Sequence, residues 1–251
     1  LSGLADEAGN TMSSPVTQNF HVNMNEPGAT ITLYSNNSSN TSYAKADDIV
    51  TLTINSDEII GQPSITMSCG TTDISSDLTI KNTADGTGNH RNWTAKYTVS
   101  SSSTNGNITF TATLTDLTST TKIYNTATGT VTVDTVDPSV TSIVPSWGIS
   151  SAPAYILTGS DITSSKIITV TTSGVKDSET MNLVIYGDDS NYYLYREYTA
   201  TVSSNEAEFT IPVSDLELFN KSGLSTDGSY TITILSGLAD EAGNTMSSPV
   251  T

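Results

Sequence analysis

Seventeen residues, LSGLADEAGNTMSSPVT, fill positions 1–17 and recur without a change at 235–251. A match of that length at one fixed offset marks a repeating unit, and the offset of 234 residues leaves room for two ordinary domains rather than one short solenoid repeat. The chain therefore reads as one full period of an array, with the residues from Gln18 onward expected to follow Thr251 in a parent chain.

Between clusters of Gly, Pro, Asn and Asp lie short segments rich in Thr, Val, Ile and Tyr, with no sustained helical period. The fold class expected is all-β: two tandem immunoglobulin-like antiparallel β-sandwiches. The spacing predicts seven strands in the first half, at 29–34, 49–54, 64–68, 78–80, 93–99, 108–114 and 128–133. Six are predicted in the second, at 140–144, 167–172, 182–186, 192–202, 207–211 and 230–235. Residues 135–138 form the linker, because Pro138 lacks a ladder donor and keeps its predecessor extended. The domain limits expected are 1–25 for a terminal strand segment of the preceding repeat, 26–135 for the first sandwich and 136–251 for the second. Residues 215–220 suit a helical turn or a strand end equally, and 145–162 reads as an irregular, partly packed connection.

The second sandwich is one strand short. Residues 15–24 place Val16, Phe20, Val22 and Met24 among polar neighbours as a half-buried strand does. This is the expected assembly strand. Residues 25–28 are too few to carry it around a domain about 35–40 Å long, at no more than about 3.5 Å per residue. The expected donor is the covalent continuation in a parent chain, and for this chain residues 15–25 of a neighbouring copy, head to tail, or none.

Four segments carry a family resemblance: DDIVTLTI (47–54), NWTAKYTV (92–99), NGNITFTATLTD (105–116) and VTVDTVDP (131–138). Their order resembles that of bacterial-type immunoglobulin-like repeats, and the later stretch DGSYTITILSGLADEAGNTMS (227–247) resembles the end of such a repeat. The family pattern expects D-x-A-G-N after the strand ending near Leu114, whereas Asp116 is followed by LTST. The resemblance implies a structural repeat of a giant secreted adhesin, stalk or surface filament, located outside the cell or on its surface. The alternative is a carbohydrate- or receptor-binding module.

Composition narrows the chemistry. A formal charge of −17, from 26 acidic and 9 basic residues, opposes binding to nucleic acid and to anionic lipid. No apolar run reaches the roughly 18 residues that cross a bilayer, so no membrane contact is expected within this segment. Calcium, which takes six to eight oxygens, is the most credible ligand for so acidic a chain, the alternative at the linker being a solvated acidic turn with no ion. Candidates are Asp134 and Asp137 at the linker, with Asp116 a third if its loop points the same way. Asp240, Glu241 and Asn244 are a further candidate set, although the same residues suit a plain turn with Gly at positive φ. Six N-x-S/T sequons occur, no more than chance gives in a chain about one-third Ser and Thr; Asn36, Asn37 and Asn40 are the clustered glycan acceptors. Tyr192 and Tyr193 could stack on sugar rings, against the commoner role of cross-strand packing. No nucleophile motif lies near His21 or His90, and catalysis is not expected.

Overall fold

The structure, a computed structural model, describes residues 4–12, 17–18, 24–83, 88–147, 162–189, 192–221 and 230–251. It is an all-β chain in which alternation of apolar and polar residues becomes alternation of buried and exposed faces. On the strand Gly106–Thr115, Ile108, Phe110, Ala112 and Leu114 are buried while Thr109 and Thr111 between them are exposed.

The first half contains β1 (Ala29–Ser35), β2 (Tyr43–Ala44), β3 (Ile49–Ile60), β4 (Ser64–Cys69), β5 (Thr72–Asp73), β6 (Thr79–Asn82), β7 (His90–Thr98), β8 (Gly106–Thr115), β9 (Thr121–Tyr124) and β10 (Thr132–Val133). One sheet runs β1-β3-β7-β6 and the other β2-β10-β8-β4-β5, with β9 also paired to β8. Between them lies a core that includes Leu52, Ile54, Met67, Trp93 and Leu114. Trp93 keeps its indole N–H satisfied inside this core by donating to the His90 carbonyl at 3.0 Å. Cys69 is fully buried, and burial pushes its thiol pKa up.

The strand expected at 128–133 is only Thr132–Val133. Thr128 instead bridges in parallel to Thr32 of β1, with Leu33 N–H donating to its carbonyl and its own N–H to Ile31. The chain thus crosses from the edge of one sheet into the other, where β10 lies between β2 and β8. Gly129 permits the crossing: its φ is +89°, and a Cβ there would stand 2.5 Å from the Leu33 carbonyl oxygen. The dipeptide strands β2 and β5 and the short β9 were not expected from pattern, being too brief to show a period.

The second half contains β11 (Ser139–Pro145), β12 (Lys166–Ser173), β13 (Thr180–Asp189), β14 (Tyr192–Thr201), β15 (Glu206–Ile211), helix α1 (Val213–Lys221) and β16 (Thr231–Ile234). Its sheets are β11-β12-β15 and β14-β13-β16, around a second core with Ile168, Met181, Leu183, Phe209 and Leu216. The open choice at 215–220 resolves as helix. Asp215 in its first turn accepts from Tyr198 Oη at 2.8 Å and faces Arg196 Nε at 3.4 Å, so the helix is tied to β14. Burial, then the bond to Asp215, pushes the Tyr198 phenol well above its ordinary pKa. Most of the 145–162 connection lies outside the described residues. Among the described strands, every pairing stays within one half.

Candidate functional site: the turn seated between the two halves

After β16 the chain makes a five-residue turn at 240–244. Asp240 organises it. Its Oδ1 accepts from Asn244 N–H at 2.8 Å, its Oδ2 from Asn244 Nδ2 at 2.7 Å, and its carbonyl from Gly243 N–H at 3.2 Å. Gly243 supplies the left-handed residue at φ +78°. Beyond the turn the chain runs back along β16, where Ile234 and Val250 exchange hydrogen bonds at 2.8 and 2.9 Å.

The same turn is built twice more. At 6–10, Asp6 accepts from Asn10 N–H at 2.8 Å and Asn10 Nδ2 at 2.9 Å, and Gly9 has φ +84°. The bond to Asn10 holds the Asp6 carboxyl below its usual pKa. At 116–120, Asp116 accepts from Thr118 N–H, Thr118 Oγ1 and Thr120 N–H at 2.7–2.8 Å, with Ser119 at φ +70°. Burial raises the Asp116 pKa, but these hydrogen bonds outweigh it and the net shift is downward. LTST therefore reproduces the geometry of EAGN, because the anchor is the Asp and a left-handed fourth residue, not the exact side chains.

Of the two turns identical in sequence, the one at 240–244 is seated against the other half, and the one at 6–10 is exposed among the described residues. Ala242, Asp240 and Asn244 are buried, whereas Asp6, Ala8 and Asn10 are exposed. Its seat is the loop between β1 and β3. Asn37 is buried there, with Oδ1 accepting from Ser39 and Asn40 N–H and Nδ2 donating to Asp48 Oδ2 at 2.7 Å and to the Ala242 carbonyl at 2.8 Å. Lys45 Nζ donates to the Gly243 carbonyl at 2.5 Å, and Asp48 Oδ2 also accepts from Lys45 N–H at 2.8 Å. From the turn's side, Asn244 Nδ2 donates to the Asp134 carbonyl at 2.9 Å. Among the described residues three such hydrogen bonds cross the joint: two read the turn's carbonyls, and the third uses the Asn244 side chain.

The linker is clamped as well. Asp134 Oδ1 accepts from Val136 N–H at 3.0 Å and from Asn105 Nδ2 at 3.1 Å, while Asn105 Oδ1 accepts from Thr135 N–H and Oγ1 at 3.0 Å. Asp137 is exposed. Asp116 does not join these two: it follows Thr115 at one end of β8, whereas Asp134 follows Val133, which pairs with Gly106 at the other end. Ten strand residues at about 3.3 Å each hold them about 30 Å apart. Among the described residues, no group of three His, Cys, Asp or Glu side chains is placed to share one ion. Glu241 is exposed beside a turn whose Asp240 and Asn244 bond to each other.

Of the sequon residues, Asn36 is exposed and its Oδ1 accepts from Ile49 N–H, and the half-buried Asn40 accepts from Ser42 N–H. Asn37 is the exception, because the nitrogen a glycan would occupy is buried in the joint. A glycan on Asn37 and the seated turn are mutually exclusive. In the expected assembly strand, Met24 is 84% exposed, and Val16, Phe20 and Val22 lie outside the described residues. Tyr192 and Tyr193 pair in backbone register with Asp189 and Asp188, and their side chains lie outside the described residues. Sequence reasoning missed Lys45 and Asp48 and took Asn37 only as a glycan acceptor. No spacing signal links residues about 200 positions apart.

No protein-family model matches the chain, and no curated protein matches it. Solved structures do. One described as "Structural insight into host cell surface retention of a 1.5-MDa bacterial ice-binding adhesin" is similar over 96% of this chain and 68% of its own, at 17% identity and TM-score 0.39. Another, "Crystal structure of tetra-tandem repeat in extending region of large adhesion protein", is similar over 97% of this chain at 13% identity and TM-score 0.35; this chain spans 53% of its length. A third is a marsupial T cell receptor, at 12% identity over 86% of this chain, with TM-score 0.38. At scores this low the architecture is read from the strands themselves.

Proposed function

We propose that this chain is a structural repeat of a long extracellular or cell-surface protein, in which serial copies of a 234-residue unit hold a distal part at a distance and bear tension. The observation that carries this reading is the seated turn. Three hydrogen bonds to main-chain oxygens, each worth about 0.5–1.5 kcal/mol net and more where Lys45 brings its charge, lock the halves against bending at a linker of a few residues. A fixed joint suits a spacer that transmits tension along its length. The acidic surface, with net charge −17, keeps neighbouring copies apart in solution. The partners in this reading are copies of the same unit, joined head to tail.

Stretching single molecules from their two ends tests the reading. Two discrete unfolding steps are expected, each releasing about 350 Å for about 100 residues, with no soft extension of the joint before them. Gradual lengthening at low force, without discrete steps, would contradict it.

A further inference from the structure

The linker is held by a residue whose own chemistry can undo the hold. Asn105 precedes Gly106, the one Asn-Gly pair in the sequence. In such a pair the main-chain nitrogen of Gly can attack the side-chain amide of Asn with little hindrance, because Gly has no Cβ to block the approach. Each member of the pair is fixed for a separate reason. Gly106 has φ +143°, and a Cβ there would stand 2.9 Å from Gly70 Cα, which excludes a side chain. Asn105 is used at both ends of its amide: Oδ1 accepts from Thr135 N–H and Oγ1 at 3.0 Å, and Nδ2 donates to Asp134 Oδ1 at 3.1 Å. An ionised aspartate could not make that last bond. Asn105 is exposed, so water reaches it. Yet both reacting residues are engaged by one segment: Gly106 lies opposite Val133 in the ladder of β8 with β10, and the Asn105 amide rests on Asp134 and Thr135.

We propose that Asn105 is a deamidation site gated by residues 133–135, and that its conversion permanently loosens the linker between the two halves. When those residues lift from the end of β8, Gly106 N bonds to Asn105 Cγ, and Nδ2 leaves as ammonia with the Gly106 amide proton. A cyclic imide remains. Water then opens the ring at either carbonyl, giving aspartate or, with the main chain rerouted through the side-chain carbon, isoaspartate; no oxidant or other reactant enters. The attack is intramolecular, so its rate follows how often local opening brings the two atoms together. Either product sets a carboxylate where Nδ2 met Asp134, replacing a donor by a second negative charge. Isoaspartate also lengthens the main chain beside Gly106, where Gly70 packs closely. The clamp that shielded the amide cannot re-form as it was, and Asn105 keeps a lasting record of linker opening, whatever load the chain carries.

Incubation of the full chain in mildly alkaline buffer, followed by peptide mass spectrometry with isoaspartate detection, tests this beside a synthetic peptide of residues 100–110, in which nothing gates the amide. Asn105 should convert in the wild-type chain, and more slowly than in the peptide by roughly tenfold or more. Asp134→Ala, which removes the acceptor of Nδ2, should speed conversion severalfold; Thr135→Ala, the milder change, should act in the same direction and guards against a variant that simply unfolds. Asn105→Asp supplies the product directly. It should broaden the distance distribution between spin labels on Ser64→Cys and Thr210→Cys, and more than Asn105→Ser does, because only the aspartate sets a charge against Asp134. Four results would each overturn the proposal: conversion as fast in the folded chain as in the peptide, no conversion in any folded chain while the peptide converts, equal rates in the wild-type chain and both linker variants, or a distribution that Asn105→Asp broadens no more than Asn105→Ser.

Discussion

Gly9 and Gly243 occupy the same place in the same sequence and differ only in what surrounds them. A Cβ on Gly9 would meet nothing within 4 Å among the described residues, whereas one on Gly243 would stand 2.7 Å from Ser39 Oγ. Both substitutions put a side chain on a left-handed residue, at about 1–2 kcal/mol to the turn itself, but among the described residues only the turn at 240–244 makes contacts through which that cost reaches the rest of the fold. Gly243→Ala is expected to lower the urea midpoint of the chain by the equivalent of about 1–3 kcal/mol. Gly9→Ala should leave it unchanged within error, because among the described residues its hairpin belongs to neither core. Equal effects of the two would show that the turn's own conformation, and not its seat, decides.

At the scale of elements, one device recurs in three places: a strand end, an Asp that caps the next residues, a left-handed fourth position and a returning strand. In the first half it joins β8 to β9 through Asp116. Hydrogen bonds hold that carboxyl below its ordinary pKa, so the stability it contributes is fully present above the unfolded value, near 4, and is lost as pH falls through the lower folded one. Thermal unfolding of the wild-type chain followed from pH 5 to pH 2.5 should therefore show a downward slope that Asp116→Asn flattens. An unchanged slope would assign the acid sensitivity to other carboxylates. This turn also shows what a sequence can conceal. D-E-A-G-N reads as a turn from its Gly, but D-L-T-S-T carries no such mark, and only the backbone reveals that Ser119 takes the Gly position. The long strands were legible because burial on one face imposes a period of two over many residues. The dipeptide strands, the crossing at Thr128 and the choice of helix at α1 were not, since each is settled by a partner distant in the chain: Thr32 for the crossing, Tyr198 and Arg196 for the helix.

At the scale of the molecule, two cores that share no strand would move freely about residues 135–138 if nothing else joined them. The seated turn supplies that join, and it does so through residues with no pattern of their own. Asn37 stood out in the sequence for its sequon and Asn244 for its turn, yet the bond from Asn37 to the Ala242 carbonyl, across 205 residues, and that from Asn244 to the Asp134 carbonyl follow only from the way the two halves meet. The exact repeat was the most informative stretch of the sequence for a different reason from its length: it presents one segment in two environments, and comparison of the two identifies what the seat adds. The direct test of a fixed joint is the distance distribution between spin labels on Ser64→Cys and Thr210→Cys, exposed positions in opposite halves, measured by pulsed electron paramagnetic resonance. A single narrow distribution is expected in the wild-type background, broadening when Lys45→Ala and Asn244→Ala remove two of the three bonds across the joint. A distribution already broad in the wild-type background, or one whose width those substitutions leave untouched, would contradict the account.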